Sequence, residues 1–177
     1  MIDRMLALTA DSTEMEEVAA LGWYEDANDL AVRMTHWGNV TFEQACVGVA
    51  AFSIRQSWER NQYNALLWAE DPSQDVPALG VSNRIAANAL IYDDPFTALN
   101  GDKTHSFALN IAGDLEAVTI DVHMLRALGV DPKKTPTHKQ YREYAQAVRD
   151  ASYLDASQMF PAQYQALVWI KQRGSAS

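Results

Sequence analysis

Three observations predict an all-α fold for these 177 residues. Apolar residues recur at helical spacing along nearly the whole chain, and runs of alternating β-branched residues are few. Proline and glycine fall between the apolar segments rather than inside them. At 48% apolar and 10% aromatic residues the chain can bury a core, which excludes a disordered protein. One compact unit, or two small lobes sharing a cleft, is the expectation at this length.

The elements follow in order. A first helix is expected over about 12–21 and a second over 24–34, where Leu30, Ala31 and Met34 share a face. Thr41-Phe42-Glu43-Gln44 has the capping-box pattern, in which hydroxyl and amide side chains satisfy free backbone donors, and it opens a helix over 45–54. That helix is apolar enough to be buried all round, and Cys46 within it reads as packing. A helix over 58–70 comes next, then a loop, Asp71-Pro72-Ser73-Gln74-Asp75-Val76-Pro77. Short helices are expected at 82–92, 95–100 and 104–111. Gly113-Asp114 turns the chain, a helix over 119–127 carries Asp121 near its start, and Gly129-Val130-Asp131-Pro132 closes it. Thr137-His138-Lys139-Gln140 is a second capping box, before a helix over 141–152. Pro161 suits the first turn of a last helix that ends before Gly174, and Ser175-Ala176-Ser177 reads as a frayed end.

Composition removes several function classes. No apolar run approaches the roughly 20 residues of a membrane span, and Met1-Ile2-Asp3-Arg4 lacks the start of a signal peptide, so a cytoplasmic protein without membrane contact is expected. One cysteine permits neither an internal disulfide nor a cysteine-ligated cluster. His36, His105, His123 and His138 are scattered without ligand spacing, and no glycine-rich phosphate loop is present; neither metal nor cofactor is expected. The net charge of −9 opposes nonspecific attraction to a phosphate backbone. Its distribution is uneven: residues 1–75 hold four basic and thirteen acidic side chains, whereas residues 76–177 hold ten of each.

The most chemical feature lies in that balanced half. Lys103 and Asp121 are eighteen residues apart with a predicted helix between them, an arrangement that can bring an amine nucleophile and a carboxylate to one cleft. Such a pair can displace a base from a sugar or handle a base flipped out of DNA. The alternative is a surface lysine after a turn and an aspartate capping a helix.

From about Thr41 to Leu128 the chain resembles the helix-hairpin-helix (HhH-GPD) DNA glycosylases of the endonuclease III type. Ala50-Ala51-Phe52-Ser53 is similar to the buried helix end of their first lobe, and Gly80-Val81-Ser82-Asn83-Arg84-Ile85-Ala86-Ala87-Asn88 to their Gly-x-x-Asn-x-x-Ala helix start. Leu99-Asn100-Gly101-Asp102-Lys103-Thr104 falls where the hairpin and its lysine belong, although it is shorter than Leu-Pro-Gly-x-Gly and carries one glycine and an acid. Asp121-Val122-His123 falls on the catalytic Asp-x-His. Over its full length the chain resembles a group of small proteins of tailed phages of actinobacteria, through Gly22-Trp23-Tyr24, Ser53-x-Arg55 with Trp58-x-x-Asn61, Asp102-Lys103-Thr104, Thr119-Ile120-Asp121-x-His123 and Gln165-Ala166-Leu167-Val168-Trp169.

The resemblance implies a two-lobed helical fold, with one lobe over 41–115 and the other built from 1–40 and 116–177. It implies a protein that acts on a flipped base in DNA, with Lys103 as nucleophile, Asp121 as its partner, and a lyase step able to follow. Ser53, Arg55, Trp58, Arg60, Asn61, Asn83, Arg84 and His123 are the candidate substrate contacts, Trp58 stacking on a base and the arginines meeting phosphate. Packing explains Trp58, an intrachain carboxylate explains Arg60, and a helix cap explains Asn83 equally well. Gln165 and Trp169, four apart, read as packing on one helical face. Two alternatives stand beside this expectation: a transferase that modifies a DNA pyrimidine on the same fold, and a non-catalytic protein that binds a host protein or nucleic acid through an acidic patch near Glu14, Glu16 and Glu17.

Overall fold

Ten α-helices and one short 3₁₀ helix make up the computed structural model, which describes residues 1–174, and no β-strand occurs among those residues. The all-α expectation holds. The expected frayed end, Ser175 to Ser177, lies outside the described residues. The chain divides into a middle unit, Glu25–Gly113, and a terminal unit built from Met1–Tyr24 and Asp114–Ser177.

In the middle unit, α3 (Glu25–Trp37), α4 (Phe42–Phe52), α5 (Trp58–Glu70), α6 (Gly80–Ile91), the 3₁₀ helix Pro95–Ala98 and α7 (Asp102–Ile111) share one apolar core. The expected boundary near residue 40 moves to 24/25, because Leu30, Ala31 and Met34 of α3 are buried in this core. The α4 helix is its axis: Thr41 and Gln44 form the expected capping box, and every residue from Ala45 to Phe52 is buried. Helix α5 packs on α4 at Gly48, where a Cβ would come within 2.6 Å of the Trp68 ring, so only glycine lets the indole lie flush. Helix α6 is tied to α4 by Ser82, whose hydroxyl donates to the Ala51 carbonyl at 2.7 Å. Cys46 packs as expected, and burial pushes its thiol up to about 12.

In the terminal unit, α1 (Ile2–Thr9), α2 (Glu14–Leu21), α8 (Val122–Ala127), α9 (His138–Leu154) and α10 (Pro161–Arg173) enclose a second core around Met5, Met124, Val148, Tyr164 and Leu167. Helix α1 was not expected; it is short, and only Met5 and Thr9, one turn apart, are buried. Capping boxes start α2 at Thr13 and α9 at Thr137. Gly174 ends α10 with φ +81°, a left-handed cap that suits glycine.

The helix expected over 119–127 is half extended chain. Ala117 to Ile120 is buried and non-helical, and the helix starts at Val122. Val118, Thr119 and Ile120, three β-branched residues in a row, disfavour helix, and side chains supply the partners that a helix would have provided. The Tyr141 hydroxyl donates to the Val118 carbonyl at 3.0 Å and accepts the Ile120 N–H at 2.9 Å. Gln165 Oε1 accepts from the Tyr24 hydroxyl at 2.7 Å and from the Thr119 N–H at 3.4 Å.

Candidate functional site

Asp121 is where this buried segment emerges. As N-cap of α8, its Oδ1 accepts the backbone N–H groups of His123 and Met124, each at 2.9 Å. Its Oδ2 accepts the indole N–H of Trp169 on α10 at 3.0 Å. A carboxylate offers about four acceptor positions, so one, on Oδ2, is left over by these three bonds. The side chain is half-buried and fixed in orientation.

Trp169 is the hub of a ring cluster around that carboxylate. Trp23 packs on it with ring centroids 4.6 Å apart, and His123 meets it edge-on at 5.3 Å. The Arg173 guanidinium covers the indole at 4.4 Å from its centroid, and Arg126 Nη1 lies 3.4 Å from His123 Nδ1. A guanidinium only donates, so in this contact the Nδ1 atom of His123 is the acceptor. Close by, burial pushes the Tyr24 phenol well above its ordinary range, which keeps it a neutral donor to Gln165. Sequence reasoning read Gln165 and Trp169 as packing, met Trp23 only within the Gly22-Trp23-Tyr24 motif, and did not single out Arg126 or Arg173. Their spacing in the chain carried no sign of the Asp121 contact.

Lys103 lies in the middle unit. It is exposed in the first turn of α7, after the turn at Gly101, and among the described residues it has neither an ion pair nor a hydrogen bond. A cation at the positive end of a helix is the wrong sign for helix stability, so Lys103 contributes nothing evident to the fold. The helix begins at Asp102 rather than at the expected 104.

Four of the expected substrate contacts have other occupations. Asn83 neither caps α6 nor faces out. It is buried inside the helix and grips the loop, with Oδ1 accepting the Val76 N–H at 3.1 Å and Nδ2 donating to the Val76 carbonyl at 3.0 Å. Asn61 is fully buried and lines no open surface; neither atom of its amide has a partner, and the same holds for Asn64 one turn on. The Ser53 hydroxyl donates to the Ala50 carbonyl at 2.7 Å, closing α4. Arg60 is exposed but reaches the Pro77 carbonyl at 3.4 Å and lies over the Tyr63 ring, with no carboxylate paired to it. Asn83 and Arg60 therefore hold the same loop.

Arg55, Trp58 and Arg84 remain exposed. Arg55 sits in the α4–α5 turn with φ +55°, a left-handed conformation that is costly for a side chain other than glycine. Trp58 opens α5 and lines an open groove of about 440 Å³ with Asp26, Asp29, Val32, Arg33 and Gln62. His123 alone of the substrate candidates is brought against Asp121.

Among the described residues no group of three or more His, Cys, Asp or Glu is placed to hold a metal ion, and no helix is long and apolar enough to cross a membrane. No curated protein matches the chain, and no solved structure does. One family model matches residues 1–176, and it is described as a family of unknown function. With its whole described length inside that match, the chain belongs to the DUF7178 family.

Proposed function

We propose that the protein acts on a base flipped out of DNA as a glycosylase-like enzyme, with Lys103 as nucleophile and Asp121 as its partner. The observation that carries this reading is that both groups are in chemically useful states. Lys103 is an exposed amine that the fold does not use, and Asp121 is a carboxylate held in one orientation by three donors with an acceptor position left over. The helical architecture and the resemblance of Asp102-Lys103-Thr104 and Asp121-Val122-His123 to glycosylase motifs support it.

In the reaction, the lysine amine, having given up its third proton, forms the Nζ–C1′ bond as the C1′–N bond to the base breaks. The electron pair leaves with the base, which takes up a proton, and Asp121 offsets the positive charge that develops on the sugar. Opening of the sugar ring then gives a Schiff base, from which a lyase step can follow.

Borohydride trapping on oligonucleotides bearing modified, damaged or abasic sites tests the reading. A covalent adduct is expected with wild type and absent with Lys103→Gln. No adduct on any substrate would overturn it, and a nucleotide gaining mass without base loss would move the assignment to a pyrimidine-modifying transferase.

A second reading, a non-catalytic protein that binds a partner protein, is favoured by the exposed Met15, Val18 and Leu21 on α2 beside Glu14 and Glu17. Glu16, grouped with that acidic patch from sequence, instead completes the Thr13 capping box and pairs with Lys171. This reading predicts that Lys103→Gln and Asp121→Asn leave the biological effect intact.

A further inference from the structure

Two arginines of the terminal unit are held by rings and by no carboxylate. Arg173, in the last turn of α10, lies over Trp169, and Arg126, at the end of α8, reaches His123. His123 packs edge-on against the same indole, so the contacts run unbroken from Arg126 through His123 and Trp169 to Arg173. Both arginines are exposed, and among the described residues neither enters an ion pair. Lys171, two residues before Arg173, provides the contrast: it is bound at 2.8 Å to Asp11 and at 3.5 Å to Glu16.

A guanidinium lying over a ring keeps its in-plane N–H donors free, and a planar fork of donors matches the oxygens of a phosphate two at a time. The nearest carboxylate in this contact chain, Asp121, takes its hydrogen bonds from Trp169 and from two backbone amides rather than from either arginine. What sets these two apart from the other arginines without an ion pair is that one run of ring contacts, His123 against Trp169, joins them.

The geometry points to a phosphate-binding face carrying Arg126 and Arg173, one at each end of the His123–Trp169 pair, its occupant the phosphodiester backbone of a nucleic-acid strand, each arginine meeting its own phosphate. The identity of the phosphate rests on the DNA reading; the two-arginine site does not. A phosphodiester bound here sets a strand beside Asp121, and the rings of Trp23 and Trp169 give it an apolar border.

The test is anisotropy of a labelled oligonucleotide, single- and double-stranded, with wild type, Arg126→Gln, Arg173→Gln, the double variant and Lys139→Gln. Lys139 is an exposed cation already facing Glu143 and controls for loss of charge in general. The double variant is expected to bind at least about tenfold more weakly, with the slope of log affinity against log salt shallower by about one to two. Lys139→Gln is expected to stay within about twofold of wild type. Thermal melting checks that the variants fold.

Unchanged affinity and slope in the double variant would overturn the site, as would an equal loss in Lys139→Gln. Inorganic phosphate that displaces the oligonucleotide at equal concentration of phosphate groups would make the occupant free phosphate and overturn the phosphodiester assignment. Arginine-dependent binding without any borohydride adduct would remove the glycosylase reading and leave this site standing. Trapping that persists in a double variant with unchanged binding would do the reverse.

Discussion

The indole N–H of Trp169 donates to Asp121 Oδ2 at 3.0 Å across forty-eight residues of sequence, and this bond decides which way the candidate catalytic carboxylate faces. Backbone capping by His123 and Met124 fixes Oδ1 alone; the indole fixes the rotation about the carboxyl group.

Trp169→Phe removes that donor while keeping the ring against Trp23 and His123. Because Asp121 is half-exposed and water can replace one bond, a stability loss of about 1 kcal/mol is expected. Asp121→Asn should cost at least as much: its single oxygen can keep the cap, but its NH2 group then faces the indole N–H donor to donor. Under the proposed reaction both variants lose activity. Chemical denaturation beside the trapping assay separates the two effects, and an active Asp121→Asn protein would remove this residue from the chemistry.

Local signals of helix ends were legible in the sequence and non-local hydrogen bonds were not. Thr41 with Gln44, Thr137 with Gln140, and Pro161 each act within one turn, so the pattern alone located them. Lys103 and Asp121 were legible as residue types at a spacing. What Asp121 touches depends on α10, and what Asn83 touches depends on how the chain at Val76 folds back, neither of which any spacing reports. The 117–120 segment was misread for a related reason: its backbone is satisfied by Tyr141 and Gln165, both distant in sequence.

Gly48→Ala should destabilise the protein by roughly 1–3 kcal/mol despite alanine's better helix propensity. The new methyl would lie 2.6 Å from a Trp68 ring that is itself buried, so the indole or the α4 backbone must shift within the core to admit it. A denaturation midpoint equal to wild type would show that the α4–α5 contact is looser than the geometry states.

Arg55→Gly should raise stability by roughly 0.5–1 kcal/mol. It relieves a φ of +55° and gives back part of that gain through a more flexible unfolded chain. If Arg55 contacts the substrate, the more stable variant binds oligonucleotide more weakly. Equal binding by wild type and Arg55→Gly would remove Arg55 from the substrate contacts.

The acid limb of stability should depend on Lys171. Its hydrogen bond and charge hold the Asp11 carboxyl below the ordinary range, and the Thr13 amide, with a smaller part from Lys171, does the same for Glu16. At Asp155 burial pushes upward, but hydrogen bonds from Ser157 and Thr9 outweigh it and the net direction is down. Groups depressed in the folded state stabilise fully above their unfolded values, near pH 4, and lose that contribution as pH falls through the folded ones. The melting temperature should therefore drop as the solution is acidified below about pH 4. Lys171→Met should flatten that drop, with Asp155 left to supply the remainder. The lysine's own shift is upward, through Asp11 first, so its contribution fades only above the ordinary lysine range.

Tyr141→Phe tests how Asp121 is presented. The hydroxyl pairs with the Val118 carbonyl and the Ile120 N–H, two buried backbone groups with no helix or strand to serve them. Deleting one oxygen leaves both exposed to the full cost of burial, and a loss of about 2 kcal/mol or more is expected. The effect should be local before it is global: amide exchange at Ile120 should accelerate more than exchange within α9, because the tether is lost while the ring still packs. Since Asp121 follows Ile120 directly, the same variant should lower any activity that depends on the carboxylate by more than its stability loss explains. Uniform acceleration of exchange across α9 and the 117–120 segment would instead mean that Tyr141 supports the whole core and gives Asp121 no special placement.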